Sequence, residues 1–205
     1  GVNGAATVVM STLPRFVVLD TCVLISNVLR PVLLRLAAEN VFCVAWSPVI
    51  ADEWCRTAER LWSVPNEVIR AQWLALQSDF PNADQGDVSA YKTGLKYSDP
   101  KDWHVIAVAR AVQEQHAGCS VGILTRNMKD FNRSELRRLG IQRWEPDAFL
   151  ALCFQTHGEL VCEALSALLG DEKTARRYDE PLIEMLKRER LFRLNRLIAV
   201  ATKNA

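Results

Sequence analysis

Long apolar runs, charge of one sign and zinc-ligand spacings are all missing from this 205-residue chain. With no apolar run of about 20 residues, nothing in it reads as a membrane span. Lys and Arg number 25 against 24 Asp and Glu, a formal net charge of +1. No long-range field therefore marks a generic nucleic-acid or membrane-surface binder, and any such contact has to come from a local patch. Histidine is scarce, with 3 in all, and the 6 cysteines at 22, 43, 55, 119, 153 and 162 form no C-x-x-C pair and no zinc spacing with them. Cys22, Cys43 and Cys119 lie in apolar runs, the pattern of reduced, buried thiols in a cytoplasmic protein rather than of a disulfide framework. There is no internal repeat and no low-complexity tract. Residues 1–9, GVNGAATVV, lack the basic and long apolar regions of a signal peptide. They are read as a non-native leader ahead of Met10, within an N-terminal segment, 1–13, expected to be disordered.

What is present is a chain that is 49% hydrophobic and 24% charged, long enough to bury a real core. It is organised around the stretch from Ser98 to Asp130, which reads as acidic turn, buried helix, buried strand and second acidic turn. Asp99 and Asp102 flank Pro100, and Asp102 is placed to cap the helix that follows. Val105, Ile106 and Ala109 then fall on one helical face. Asp102 opens the same stripe that enters the core, where a carboxylate is costly unless it is paired, hydrogen-bonded or metal-bound.

Around this stretch, RFVVL at 15–19 reads as a buried parallel strand ending in Asp20. A helix with a break at or near Pro31 follows over 23–40, and VFCVAW at 41–46 is a second strand. Ser47-Pro48 signals the start of a helix to about Trp62, with Glu53 near its apolar side. Pro65 restarts a helix to about Gln77, and residues 80–87 break it. Beyond the Asp102 helix come a strand at 121–124, a polar turn at 125–133, a short helix at 134–139 and a fourth short strand at 141–144. Strand and helix alternate, which predicts an α/β sandwich around a central parallel sheet, with ligands beyond the carboxyl ends of the strands. The expected division is a domain over 14–150 and a C-terminal helical extension over 151–205 made of two or three helices. Within it, residues 182–200 read as an amphipathic helix carrying Arg188, Arg190, Arg193 and Arg196, a packing face first and an arginine face for RNA phosphates second.

Taken singly, the acids have ordinary explanations as caps and turn residues. Taken together, several carboxylates and an amide fall at strand ends or core-facing helix starts of one sheet. Like charges brought that close raise one another's pKa unless a cation neutralises them. Hard oxygen donors with no thiolate or imidazole company suit Mg²⁺ or Mn²⁺ rather than zinc. Such an ion makes a nucleophile of water and polarises a phosphoryl oxygen.

The segments VVLDTCVL at 17–24, Pro-x-x-x-x-Glu in SPVIADEW, DPKDWHVIAVA at 99–109 and ILTRNMKDF at 123–131 resemble a PIN domain. The nearest branch is the VapC-like toxins of bacterial toxin–antitoxin pairs, with Pro146 to Phe149 standing for the segment after their last strand. The resemblance covers about residues 15–150. It implies a PIN-like α/β/α sandwich and a Mg²⁺- or Mn²⁺-dependent endoribonuclease whose partners are an RNA substrate, a cognate antitoxin and a second copy of the chain. By it, Asp20, Glu53 and Asp102 match the catalytic, metal-holding acids. Asp130 is the preferred fourth, since Asn127 stands where an acid would serve. Asp99 and Asn127 complete the metal surroundings. Thr125, Arg126, Lys129, Arg133 and His104 are candidates for contact with the substrate. A different reading keeps the fold as a non-catalytic RNA- or protein-binding module with a degenerate metal site. A haloacid-dehalogenase-like phosphotransferase fails because the required second acid, two residues after Asp20, is Cys22.

Overall fold

The computed structural model describes residues 12–170 and 182–204. The expected disordered segment falls largely on residues 1–11, and the Pro181 break on 181; both lie outside the described residues. The chain is an α/β protein built on a four-stranded, all-parallel sheet in the order β2-β1-β3-β4. Its strands are β1 (Phe16–Leu19), β2 (Cys43–Ala45), β3 (Val121–Leu124) and β4 (Ile141–Trp144). Val18 pairs with Ala45 on one side and Ile123 on the other, and Leu124 pairs with Trp144. β1 and β3 are buried almost throughout, as strands covered on both faces must be. Gly122 is required by close approach, because a Cβ there would lie 3.1 Å from Pro14 Cγ and 3.2 Å from Trp144 Cδ1.

The helices are α1 (Thr21–Leu24), α2 (Leu29–Ala38), α3 (Pro48–Trp62), α4 (Asn66–Asp79), α5 (Trp103–Gln115), α6 (Arg133–Arg138), α7 (Pro146–Gly170), α8 (Leu182–Arg188) and α9 (Phe192–Lys203). The crossover from β1 to β2 runs one way along the sheet and that from β2 to β3 the other. Right-handed crossovers then set α2 and α5 on opposite faces. α5 packs across β1, β2 and β3, while α2 packs on β2 and α7. Trp46, Trp54 and Trp73 form one aromatic cluster in the core, with Trp62 stacked edge-on against Trp54.

Three expectations change. The helix expected over 23–40 is interrupted at 25–28, before Pro31, which sits in the first turn of α2 where its missing N–H has no helical partner to lose. The stretch 182–200 is not one amphipathic helix: it breaks after Arg188, Arg190 adopts a left-handed φ of 60°, and α9 begins at Phe192. The four arginines therefore do not share one helical face. Cys119 is exposed rather than buried, lying in the loop after α5, and Cys22 and Cys43 are half-buried. All six thiols are free.

The C-terminal helices are tied to the rest by polar contacts as well as by buried Met185, Leu186, Leu191 and Leu194. Asp147, in the first turn of α7, accepts the backbone N–H groups of Arg193 and Leu194, both at 2.9 Å. It supplies the cap that Leu191, at the start of α9, cannot. Among the described residues no helix is long and apolar enough to cross a membrane.

Candidate functional site

The sheet order reverses between β1 and β3, and the crevice beyond their carboxyl ends is where open parallel sheets bind ligands. Asp20 leaves β1 there and Thr125 leaves β3. The Asp20 side chain is 4% exposed and caps α1, with Oδ1 accepting the Thr21 N–H at 2.8 Å. Its Oδ2 accepts the Thr125 hydroxyl at 2.8 Å and the Cys22 thiol at 3.4 Å. Burial pushes the Asp20 carboxyl above its ordinary value against those three donors, and the charge of Glu53 adds to the rise. Thr125 is fully buried and also accepts the Asn127 N–H at 3.0 Å. Burial, then the Asp20 charge, pushes the Cys22 thiol up to about 11, so it stands as a neutral donor beside the acid.

Asp102 does not do what its position predicts. It occupies the N-cap of α5 but makes no capping hydrogen bond; it ends the 3₁₀ turn Pro100–Asp102, and Asp99 caps that turn by accepting the Lys101 N–H. The Asp102 side chain is 7% exposed and its Oδ2 has no hydrogen-bond partner. Burial first, then Asp20 and then Asp130, push its carboxyl up to about 7, against the opposing charges of Lys101 and His104. A buried carboxylate oxygen without a donor costs free energy that caps and turns normally avoid.

The remaining predicted acids stand beside basic side chains. Glu53 on α3 lies with its Oε1 2.7 Å from His104 Nε2, a close contact that is not aligned as a hydrogen bond. Asp130, at the end of the 3₁₀ turn Met128–Asp130, is 3.6 Å from Lys101 Nζ, which lies equally near Asp99. Electrostatically the acids form a chain in which Glu53 acts on Asp20, and Asp20 and Asp130 act on Asp102. No three His, Cys, Asp or Glu side chains among the described residues already stand as a joint set of metal ligands. Asn127 is exposed; its backbone N–H donates to the Thr125 hydroxyl and its carbonyl accepts the Asp130 N–H at 3.0 Å.

Of the residues expected to contact substrate, Lys129 and Arg133 are exposed on the turn and at the start of α6. His104 is buried against Glu53. Arg126 is already engaged: its Nη2 is 2.7 Å from Glu189 Oε2 and its Nη1 donates to the Glu189 carbonyl at 3.1 Å. Ser26 donates to the same carboxylate at 3.2 Å.

Three residues that shape the site are missing from the sequence reading. Lys101 bridges Asp99 and Asp130, and its place between two acids in DPKD was the available signal. Glu189 leaves no signal, because its partners are Ser26 and Arg126, far away in the chain. Glu135, 3% exposed on α6, accepts the N–H groups of Lys96, Tyr97 and Ser98 at 2.9, 3.1 and 3.0 Å. With the Asp99 N–H donating to the Asp130 carbonyl at 2.8 Å and the Asn132 N–H to Ser98 Oγ at 2.9 Å, it fastens the Asp99–Asp102 turn to the Asp130 turn.

Comparison with known proteins returns no match: no family model fits the chain, and no curated protein or solved structure is significantly similar to it.

Proposed function

We propose that the chain is a divalent-metal-dependent endoribonuclease of the PIN-domain kind, acting as the VapC-like toxin of a toxin–antitoxin pair in the cytoplasm. The observation that carries this reading is the buried, donor-less Oδ2 of Asp102, standing in the fields of Asp20 and Asp130. A hard cation relieves that cost more directly than any other partner, and the donor set is all oxygen. Asp20, Glu53, Asp102 and Asp130 would hold Mg²⁺ or Mn²⁺, with Asp99 and Asn127 around them. When bound, the ion supplies Lewis-acid polarisation of a phosphoryl oxygen and acidifies water.

The chain's own groups do the positioning. Thr125 and Cys22 orient the Asp20 carboxylate, Glu135 fixes the turn that presents Asp102, and His104 meets the free side of Glu53. Lys101 balances Asp99 and Asp130 until a stronger cation competes. The substrate is RNA, and the further partners are a cognate antitoxin and a second copy of the chain.

The test is cleavage of labelled RNA with Mn²⁺ by wild type, Asp20→Asn and Asp102→Asn. Both variants should fall to background while remaining folded by circular dichroism. Wild-type cleavage by Asp102→Asn overturns the reading. A second reading is a binding module with a degenerate site, in which Asn127 stands where an acid would serve. Calorimetric titration with Mn²⁺ separates the two, because the module takes up no ion specifically.

A further inference from the structure

Of the arginines at the back of the Asp130 turn, Arg133 is a candidate substrate contact, while Arg137 and Arg143 have no role in the site described so far. Arg133, Arg137 and Arg143 line a cleft of about 400 Å³ between α6 and β4, with Met128 at its edge. Arg133 and Arg137 are exposed, and neither guanidinium has a hydrogen-bond or ion-pair partner among the described residues. No carboxylate lines the cleft. The nearest acid on α6, Glu135, is spent on the backbone of residues 96–98. Arg143 is half-buried, and its Nη1 donates to the carbonyls of Met128 and Phe131, both at 2.8 Å. Burial lowers its guanidinium from the ordinary value, and neighbouring Arg133 lowers it further. Like charges held together with no anion between them cost free energy, which an anion entering the cleft would release. Elsewhere the chain pairs such cations, as Arg126 with Glu189 and Arg70 with Asp52.

We propose that the cleft between α6 and β4 is a phosphate-binding site for single-stranded RNA, in which Arg133 and Arg137 grip the backbone and Arg143 anchors the turn shared with Asp130. The planar guanidinium fork matches a phosphate in two-point contact, and two such forks beside a pinned third suit successive phosphates better than a lone carboxylate. The turn Met128–Asp130 belongs to both places, with Met128 at the cleft and Asp130 among the acids, so one strand of RNA can lie across both. The choice of RNA rests on the nuclease reading; the phosphate site itself does not.

The experiment is fluorescence anisotropy of a labelled 12-nucleotide RNA with the full chain, in chelator so that no cleavage intervenes, over a salt series. Arg133→Ala/Arg137→Ala should raise Kd about tenfold or more and reduce the slope of log K against log salt by about 1.4, two phosphates at ~0.7 each. Arg56→Ala/Arg60→Ala on α3, an equal loss of exposed charge, should leave both unchanged. Mn²⁺ uptake by the Arg133/Arg137 variant should equal that of wild type. Wild-type Kd and slope in the Arg133/Arg137 variant overturn the proposal. So does equal weakening by the α3 variant, or displacement of RNA by a poly-glutamate peptide of the same charge as readily as by unlabelled RNA. If these tests succeed while Asp102→Asn still cleaves, the nuclease site is wrong and the cleft stands.

Discussion

Glu135 and Asp102 are both buried carboxylates at helix starts, and the protein treats them in opposite ways. Glu135 accepts three backbone N–H groups, whereas Asp102 keeps an oxygen with none. At Glu135, burial pushes the pKa up, but the three backbone donors and Ser98 more than offset it, so the carboxyl titrates below its ordinary value. At Asp102, burial and two neighbouring acids act together and the carboxyl rises. Saturation of this kind marks a residue that holds the fold, and its absence a few residues away marks one held in readiness for something the fold does not supply. Both bear on one turn: Glu135, from α6, binds residues 96–98, and Asp102 ends the element that starts at Pro100.

The largest expected effect breaks the satisfied member of the pair. Glu135→Ala leaves three N–H groups of the 96–98 segment without an acceptor and should cost about 3 kcal/mol. Urea unfolding measures it, and a loss below about 1 kcal/mol would mean that water replaces the carboxylate without penalty. Glu135→Gln keeps an acceptor and should fall between wild type and Ala. Mn²⁺ affinity should weaken in step with the loosened turn, since Asp102 is positioned through it.

The second effect has the opposite sign. In chelator, the folded Asp102 carboxyl holds its proton up to about 7, whereas the unfolded one loses it near 3.8. Between those values the folded state binds the extra proton, so stability declines as pH rises through that window and levels off above it. Asp20, also raised, contributes in the same direction. Glu135 behaves the other way: its contribution is present above its unfolded value of 4.5 and is lost on acidification below that. Thermal unfolding between pH 5.5 and 8 should therefore show a falling Tm for wild type and a flatter profile for Asp102→Asn. At pH 8, Asp102→Asn should melt roughly 2–4 °C higher, a gain of about 1 kcal/mol, because an amide carries no buried charge. Saturating Mn²⁺ should flatten the wild-type profile and leave the variant unmoved. A wild-type Tm that rises from pH 5.5 to 8 in chelator would show that Asp102 is not strained.

The two acids also differ in how far the sequence disclosed them. Asp102 stands out as an acid opening an apolar stripe, and Asp20 as an acid ending a β-branched run; both patterns are local, and both residues sit at the crevice. Their environments were not disclosed. Asp102 has the residue type and position of a cap, yet Asp99 takes the capping bond, a choice made by the φ/ψ of the proline turn. Glu135 reads as an ordinary charged residue of a short helix, because its three partners lie nearly forty residues upstream. The strands at 15–19, 121–124 and 141–144 are legible as short apolar runs, but which pairs with which depends on crossover directions that no local period encodes. The break at Arg190 has no glycine or proline to announce it, so 182–200 reads as a single helix.

That break sets up the smallest effect, at Glu189. The turn after α8 brings its carboxylate, with 18% of the side chain exposed, against Arg126, so the C-terminal helices grip the rim of the crevice by one charge-assisted contact that Ser26 supports. The Gln carbonyl still accepts from Arg126, so Glu189→Gln should cost about 1 kcal/mol or less in urea unfolding. The comparison with Asp102 lies in what else moves. Removing the charge leaves Arg126 held chiefly by the Glu189 carbonyl, so RNA affinity in chelator should tighten by no more than about threefold. Mn²⁺ uptake should stay as it was, since Glu189 is not among the acids that act on Asp102. If stability falls as expected but RNA affinity falls too, Glu189 orients Arg126 toward the RNA rather than restraining it, and the C-terminal helices are then part of the binding surface.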